Sequence, residues 1–531
     1  MNLRPWNSPG DPTPDAPFDR GRRRVLLASV AAAALAAPTI RLRAAQGFAS
    51  YPFGLGVASG CPRPDGFVLW TRLAPDPLQG GGMPPAPVEV DWQVAEDESF
   101  MRIAGKGIAT ATSELAHSVH VDVQGLRPER DYWYRFHSGA ATSPVGRTRT
   151  APAAGVSPAN FRFAFASCQQ YEQGYYAAYR DMASQKLDLV VHLGDYIYES
   201  SWGVNHVRHH TGAIPTTLPE YRERYALYKS DRDLQAAHAA FPWLVIWDDH
   251  EVANDYTNDR SPRTQDPAQF LAMRAAAYQA WYEHMPVPSS ARPRGPNATI
   301  YGRYRFGDLL DVMLLDGRQY RSHHACLPGK SASPLADCPD RSAPLRSMLG
   351  QQQETWFAQQ MRSAPAHWSV VAQTTLMAEA DRKAGNEHGY WMDGWDGYTA
   401  SRKRLLDALA TQPNNNALVV SGDVHAFWAA DLRQDFSAAR SPVIATEFVG
   451  GAITSQGPSA ANLGNALAKN PHLRYGRGDK RGYALMTLER KRCGVEFRAV
   501  DDEKDPASAV RTLARFGVDS GAPGVQMERS P

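Results

Sequence analysis

The chain has 531 residues, 43% of them hydrophobic and 21% charged, with a formal net charge of +2. That length exceeds one small core and asks for two or more domains. A charge this close to zero gives no electrostatic argument for a nucleic-acid partner, and no nucleic-acid-binding module is expected.

The positive excess sits at the start. Residues 1–44 hold seven arginines against three aspartates, which leaves 50 basic and 52 acidic residues in the remainder. "GRRRVLLASVAAAALAAP" is a basic segment followed by a short apolar one. Arg22, Arg23, Arg24, Val25 and Leu26 fit a twin-arginine export signal. The apolar run stops at Pro38, too short for a comfortable bilayer span, and "RLRAAQ" suits cleavage near Ala44. An uncleaved anchor is the competing reading. Residues 1–45 are set apart as a signal, with the twin-arginine translocase as partner and a periplasmic or secreted destination. No stable membrane span is expected in the mature protein. The sequence is silent on oligomeric state.

Residues 46–150 read as a β-sandwich domain. "GFVLWTRL", "VEVDWQVA" and "HSVHVDV" alternate apolar and polar residues between Gly and Pro punctuation. "GLRPERDYWYRF" places Tyr132 where immunoglobulin-like and fibronectin-like sandwiches carry a tyrosine corner. After the linker "GRTRTAPAAGVSPAN" the pattern changes. "FRFAFASC", "LDLVVHLGD", "PWLVIWDD", "DLLDVMLLD", "HWSVVAQTT" and "NALVVSGD" are apolar strands. Helices are expected at "GYYAAYRDMASQ", over 216–240, at "QQQETWFAQQMRSA" and at "YTASRKRLLDALAT". Buried strands alternating with helices give residues 151–531 an α/β layered fold. No internal repeat is present.

Five cysteines, an odd number, leave at least one unpaired in an exported chain. Cys326 and Cys338 flank a loop-like stretch and form the expected disulfide.

Four of the strands end in groups that can hold a metal. "FAFASC" ends at Cys168, and "VVHLGDYIY" supplies Asp195 and Tyr198. "WLVIWDDHE" ends at Asp249 and His250, with Asn254 beyond, and "VVSGDVH" supplies Asp423 and His425. Singly, each has an ordinary explanation: a turn aspartate, a buried thiol, a packing tyrosine, a surface histidine. Four repetitions at the carboxyl ends of strands favour a metal site. Arg318, in "LLDGRQYR", follows another apolar strand. It either clamps phosphate in a bidentate manner or pairs with a structural carboxylate such as Asp316. "GYWMDGWDGYTASR", residues 389–402, lines the mouth of the site or covers a core.

These blocks resemble the metallophosphoesterase superfamily. "GDYIY" is similar to its GDxxY block, "DDHE" stands for GNHE and "GDVH" for GHxH. The departures point more narrowly. Cys168 stands where most members have aspartate, Asp249 replaces asparagine, Asp423 replaces histidine, and "VVAQTT" lacks the expected histidine. With "PFGLGVASGCPRPDGFVLWTRL", "LDGRQYR" and "WDGY", they resemble the alkaline phosphatase D (PhoD-like) family over nearly the whole mature chain. The resemblance implies a layered metallophosphoesterase-type (αββα) domain behind the small sandwich. It implies Fe3+ with more than one Ca2+. Cys168, Asp195, Tyr198 and His425 would serve iron, with Asp195 a candidate bridge. Asp195, Asp249, Asn254 and Asp423 can supply calcium. It further implies hydrolysis of a small phosphate ester by a metal-activated oxygen nucleophile, with His250 as general acid or phosphate-oxygen donor. The C-terminal segment is expected over the site. A phospholipase D-type or nucleotide phosphodiesterase on the same scaffold is the alternative, and a calcium-stabilised binding protein without activity is the other class.

Overall fold

A computed structural model describes residues 47–326, 336–438 and 440–528. The expected signal, residues 1–45, lies outside them. The chain opens with β1 (Val57–Arg63), β2 (Gly66–Arg72), β3 (Val88–Ala95), β4 (Ile103–Ala111), β5 (Ser118–Val123), β6 (Asp131–Ser138), β7 (Ala141–Thr142) and β8 (Gly146–Arg149). Next come β9 (Asn160–Ala166), α1 (Ala177–Ser184), β10 (Leu189–Leu193), α2 (Leu218–Lys229), α3 (Arg232–Ala240), β11 (Pro242–Ile246) and α4 (Pro267–His284). They are followed by β12 (Gly302–Phe306), β13 (Leu310–Leu314), α5 (Gln351–Arg362), β14 (Trp368–Thr375), α6 (Thr399–Leu409) and β15 (Ala417–Gly422). The chain continues through β16 (Phe427–Arg433), β17 (Val443–Gly450), α7 (Ala460–Lys469), β18 (Leu473–Arg477), β19 (Gly482–Glu489), β20 (Arg492–Val500), β21 (Val510–Asp519) and β22 (Ala522–Glu528).

Among the described residues the result is a mixed α/β fold with three sheets. One sheet has ten strands in the order β22-β21-β20-β19-β9-β10-β11-β1-β2-β5, and a second has seven, β12-β13-β14-β15-β17-β16-β18. Within them β9, β10 and β11 are parallel, as are β13, β14, β15 and β17. Their interiors are apolar on both faces because both faces are covered. Phe163, Phe165 and Val190 share one core with Val370, Leu418 and Phe448 of the second sheet. On the other face of that second sheet, Val371 and Val419 pack with Phe357 of α5 and Leu405 of α6.

The N-terminal strands are β as expected. Leu69 and Val121 share a core with Val90 and Tyr134 of the small sheet β4-β3-β6-β7, to which β8 adds through β6. The Tyr132 hydroxyl accepts the Arg127 N–H at 3.0 Å, the bond a tyrosine corner makes. The β1 strand also pairs in parallel with β11, Ser59 against Pro242, so the ten-stranded sheet runs across position 150.

Three features differ from expectation or extend it. The helix expected over 216–240 is two helices. Asp231 interrupts it by accepting the N–H groups of Asp233 and Leu234 and so capping α3. The eighteen-residue α4 was not anticipated; Asp266 caps it and Pro267 opens it. The C-terminal segment is built into the large sheet as β19–β22, with β19 antiparallel to β9, and its Arg481 donates to the His425 carbonyl at 2.9 Å. Cys326 and Cys338 form the expected disulfide, and Cys61, Cys168 and Cys493 are free and buried. Among the described residues no helix is long and apolar enough to cross a membrane.

Candidate active site at the strand exits

Residues leaving the parallel strands abandon extended geometry abruptly. Cys168, Asp195, Asp423 and His425 have φ of 59°, 56°, 61° and 49°. Each such residue costs on the order of 1–3 kcal/mol when it is not glycine, and such strain gathers at functional sites. Glycine relieves the crowding at two neighbouring points. Gly194 has φ 100°, and a Cβ there would lie 2.5 Å from the Asp248 Cβ. A Cβ on Gly422 would meet the Ser167 Oγ at 2.3 Å, so the exits of β15 and β9 touch.

The first ligand-type group is Cys168, Asp195 and His425, each offering an atom within 4.8 Å of the others. Tyr198 closes it. Its hydroxyl donates to Asp195 Oδ2 at 2.7 Å, accepts from Ser455 at 2.8 Å and lies 3.1 Å from His425 Nε2. The Nδ1 of His425 faces the Gln456 carbonyl at 2.9 Å. A carbonyl accepts only, so Nδ1 carries the proton and Nε2 presents its lone pair to Tyr198 and Asp195. Burial, with Arg481 beside it, presses His425 down to about 3, so the ring is neutral. Burial, reinforced by Asp195, pushes the Cys168 thiol well above its usual range.

The second group is Asp195, Asp249 and His250. Asp195 therefore belongs to both. The His250 ring lies 4.1 Å from that of Tyr198, and its Nδ1 is 2.6 Å from Glu199 Oε2. Burial alone would lower the histidine, but Glu199, Asp249 and Asp195 outweigh it and hold His250 well above its ordinary range. Glu199 also accepts the Asn254 backbone N–H at 3.1 Å, which draws the half-buried Asn254 to this edge. Glu251 staples the exits of β10 and β11 by accepting the N–H groups of Tyr196 (2.6 Å), Asp248 (2.9 Å) and Asp195 (3.2 Å). Asp255 donates its N–H to Asp249 Oδ2 at 2.7 Å.

Arg318 has no accessible face. Its Nε donates to Asp248, its Nη1 to Asp393 Oδ1 at 2.9 Å, and its Nη2 lies 2.8 Å from Asp393 Oδ2 and 3.5 Å from Asp249. The guanidinium is fully buried among carboxylates, surroundings that favour its structural alternative over a phosphate clamp. The partners of the guanidinium are Asp248, Asp393 and Asp249; from Arg318, Asp316 takes the backbone N–H alone, at 3.0 Å. Losing one side of such a buried network costs about 3–5 kcal/mol. Asp249, Asp255 and Asp393 form a third ligand-type group.

Even with Arg318 present, the negative charge is under-compensated. Asp195 Oδ1, Asp248 Oδ2 and Asp423 Oδ2 are buried without a hydrogen-bond partner, while Asp249 Oδ1 and Asp393 Oδ2 have only the Arg318 guanidinium. Burial and neighbouring carboxylates push Asp195 and Asp423 well above the carboxylate range. Buried carboxylate oxygens in this number fit cations, and the adjacent thiol, phenol and neutral imidazole extend the donor set.

The comparisons with known proteins bear on this arrangement. Residues 163–497 match the PhoD-like phosphatase family, and residues 37–152 match the N-terminal domain of PhoD-like phosphatases. The chain is 47% identical over 485 residues to alkaline phosphatase D of Bacillus subtilis (strain 168), covering 90% of this chain and 82% of that one. The chain belongs to the PhoD-like phosphatase family. A solved structure of PhoD superposes with a TM-score of 0.88 at 45% identity, covering 92% of this chain and 94% of its own. The protein is thus a phosphoesterase of the alkaline phosphatase D type, as the sequence resemblance implied.

Several residues of this PhoD-like site were not singled out from sequence. Glu199 was overlooked although it directly follows Tyr198. Asp393 lay inside the "WMDGWDGY" stretch, whose burial and pairing to Arg318 no local pattern shows. Ser455 and Gln456, which hold Tyr198 and His425, carry no motif of their own.

Proposed function

We propose that this PhoD-like phosphatase is an exported, metal-dependent hydrolase of small phosphate esters, with Fe3+ and Ca2+ at the exits of β9, β10, β11 and β15. The observation carrying this is the position of Asp195, which joins the sulfur, phenol and imidazole donors on one side to Asp249 and His250 on the other. A hard ferric ion suits the Cys168, Asp195, Tyr198 and His425 donors, and calcium suits the oxygens of Asp195, Asp249, Asn254 and Asp423. The two facing sheets support an αββα layering for residues 151–531, with a sandwich over 46–150 and a twin-arginine signal over 1–45. Export to the periplasm or beyond rests on that signal.

Bound cations would supply Lewis acidity toward phosphate oxygens and lower the pKa of water. The protein supplies position and protons. Gln456 and Ser455 fix the His425 tautomer and the Tyr198 hydroxyl. Glu199 holds His250 protonated and oriented, ready to donate to a phosphate oxygen or to the departing alcohol. Arg318 holds Asp248, Asp249 and Asp393 in register and is a positioning residue.

The test is elemental analysis of the purified protein alongside turnover of p-nitrophenyl and bis-p-nitrophenyl phosphate. Iron, calcium and hydrolysis of at least one ester are expected, and Asp195→Ala should lower kcat/KM by at least about a hundredfold. Full activity in Asp195→Ala would sink the site.

A further inference from the structure

Outside this site the described residues hold one more cluster with mixed metal-ligating donors: Glu172, His206 and His209, each with an atom within 4.8 Å of the others. His206 and His209 lie on the loop between Glu199 and α2, and Glu172 on the loop between β9 and α1; the proposed mechanism uses none of the three. We infer that Glu172, His206 and His209 form a separate site for a borderline divalent metal of the Zn2+ type, which pins the histidine-bearing loop beside the phosphoesterase centre.

The donor chemistry is that of a two-histidine, one-carboxylate site, which leaves a position for water. Two of the three ligands, His206 and Glu172, are already oriented. The Nε2 of His206 faces the Trp202 carbonyl at 2.8 Å, so that nitrogen carries the proton and Nδ1 keeps its lone pair. A histidine bonded to a carbonyl through its other nitrogen is the usual supporting arrangement of a metal ligand. Glu172 is buried; its carboxylate accepts the His210 N–H at 3.0 Å and the Ser201 hydroxyl. Two carboxylate oxygens offer about four acceptor directions, so these bonds leave room for a cation. His209 is exposed and completes the set from the solvent side.

The loop backbone is tethered, so the ligands need little ordering to bind. Arg208 donates to the carbonyls of Tyr171 (2.8 Å) and Gly174 (2.6 Å) and pairs with Asp231 at 2.6 Å. Gln173 donates to the Trp202 carbonyl at 2.7 Å. Trp202 connects the two sites: its indole stacks on the His425 ring at 5.4 Å and 11°. A metal drawing His206 toward Glu172 therefore acts on the residue whose carbonyl His206 holds and whose ring covers a ligand of the main centre.

The purified holoenzyme is equilibrated with Zn2+, freed of excess by gel filtration and analysed for all metals, beside His206→Asn/His209→Asn. The wild type should retain one more Zn2+ per chain than the double variant, with iron and calcium contents equal in the two. The exposed single variant His209→Ala should weaken Zn2+ binding at least tenfold by titration calorimetry. Equal Zn2+ in wild type and double variant overturns the inference. So does Zn2+ uptake matched by loss of iron or calcium, which would place the zinc in the main centre. Neither readout requires turnover, so a failure here is distinct from a failure of the phosphoesterase assignment.

Discussion

Glu199 shows how much a single side chain decides. It holds Nδ1 of His250 at 2.6 Å and is the foremost of the charges keeping that ring protonated. Glu199→Gln keeps the shape and removes the charge; kcat should fall about 10–100-fold with little change in KM, measured on p-nitrophenyl phosphate. Glu447 makes a different statement. Buried on β17, it accepts the N–H groups of Met377 (2.7 Å) and Ala378 (2.8 Å) and the Ser421 hydroxyl (2.6 Å). Burial outweighs these bonds and raises its pKa from 4.5 to about 7. The folded state therefore binds this proton more tightly than the unfolded chain. The associated stability is present below about pH 4.5 and is lost as pH rises through about 7, on the order of 3 kcal/mol at most. Chemical denaturation of Glu447→Gln against wild type should show a gap that changes across this window and is flat above it. At this scale the sequence was most informative where ligand types sat at strand ends, as with Cys168, Asp195 and His425. It was least informative for Asp393, whose meaning comes from a guanidinium 75 positions away in the chain.

Elements were legible where burial imposes a pattern. The strands β9, β10, β11, β14 and β15 are continuous apolar runs because both faces are covered. Helix α4 escaped notice for the complementary reason. Its Tyr278 stacks on Trp247 at 3.9 Å, while Glu283 and His284 are themselves buried toward Arg222 and Arg72. Buried on several sides with polar groups among its contacts, it has no single apolar stripe to read. The signals that were available, Asp266 followed by Pro267, are local caps. The turn between β10 and Asp195 yields a sharper test. Gly194→Ala places a Cβ against Asp248 in a backbone region that alanine avoids, and should cost about 1–3 kcal/mol in thermal or denaturant unfolding. Alanine at Gly464, where an added Cβ meets nothing within 4 Å, is the comparison that should unfold like wild type or later.

For the whole molecule, the proposed cations are part of the fold's charge balance as well as of catalysis. The buried oxygens Asp195 Oδ1, Asp248 Oδ2 and Asp423 Oδ2, which have no partner, make the metal-free protein electrostatically unfavourable. Prolonged dialysis against a strong chelator should lower the Tm by several degrees or more and abolish activity, and restoring the metals should recover both. A chelated protein with unchanged Tm and full activity would refute the cation assignment. The general α/β architecture and the β-rich N-terminal region followed from periodicity. The sharing of one sheet by β1 and β11 did not, because parallel pairing between distant strands leaves no trace in either segment.

That sheet also sets an order of events. Its middle strand, β9, lies between β10 and β19, and Phe165 pairs with Ala484. The first strand, β1, must likewise wait for β11. Contacts this distant in the chain close slowly, and they cannot close before the ribosome has delivered Gly482–Glu489. A nascent chain is thus left with its central layer exposed on one edge until β19 has been made. Such a chain needs shelter while it grows and time to finish.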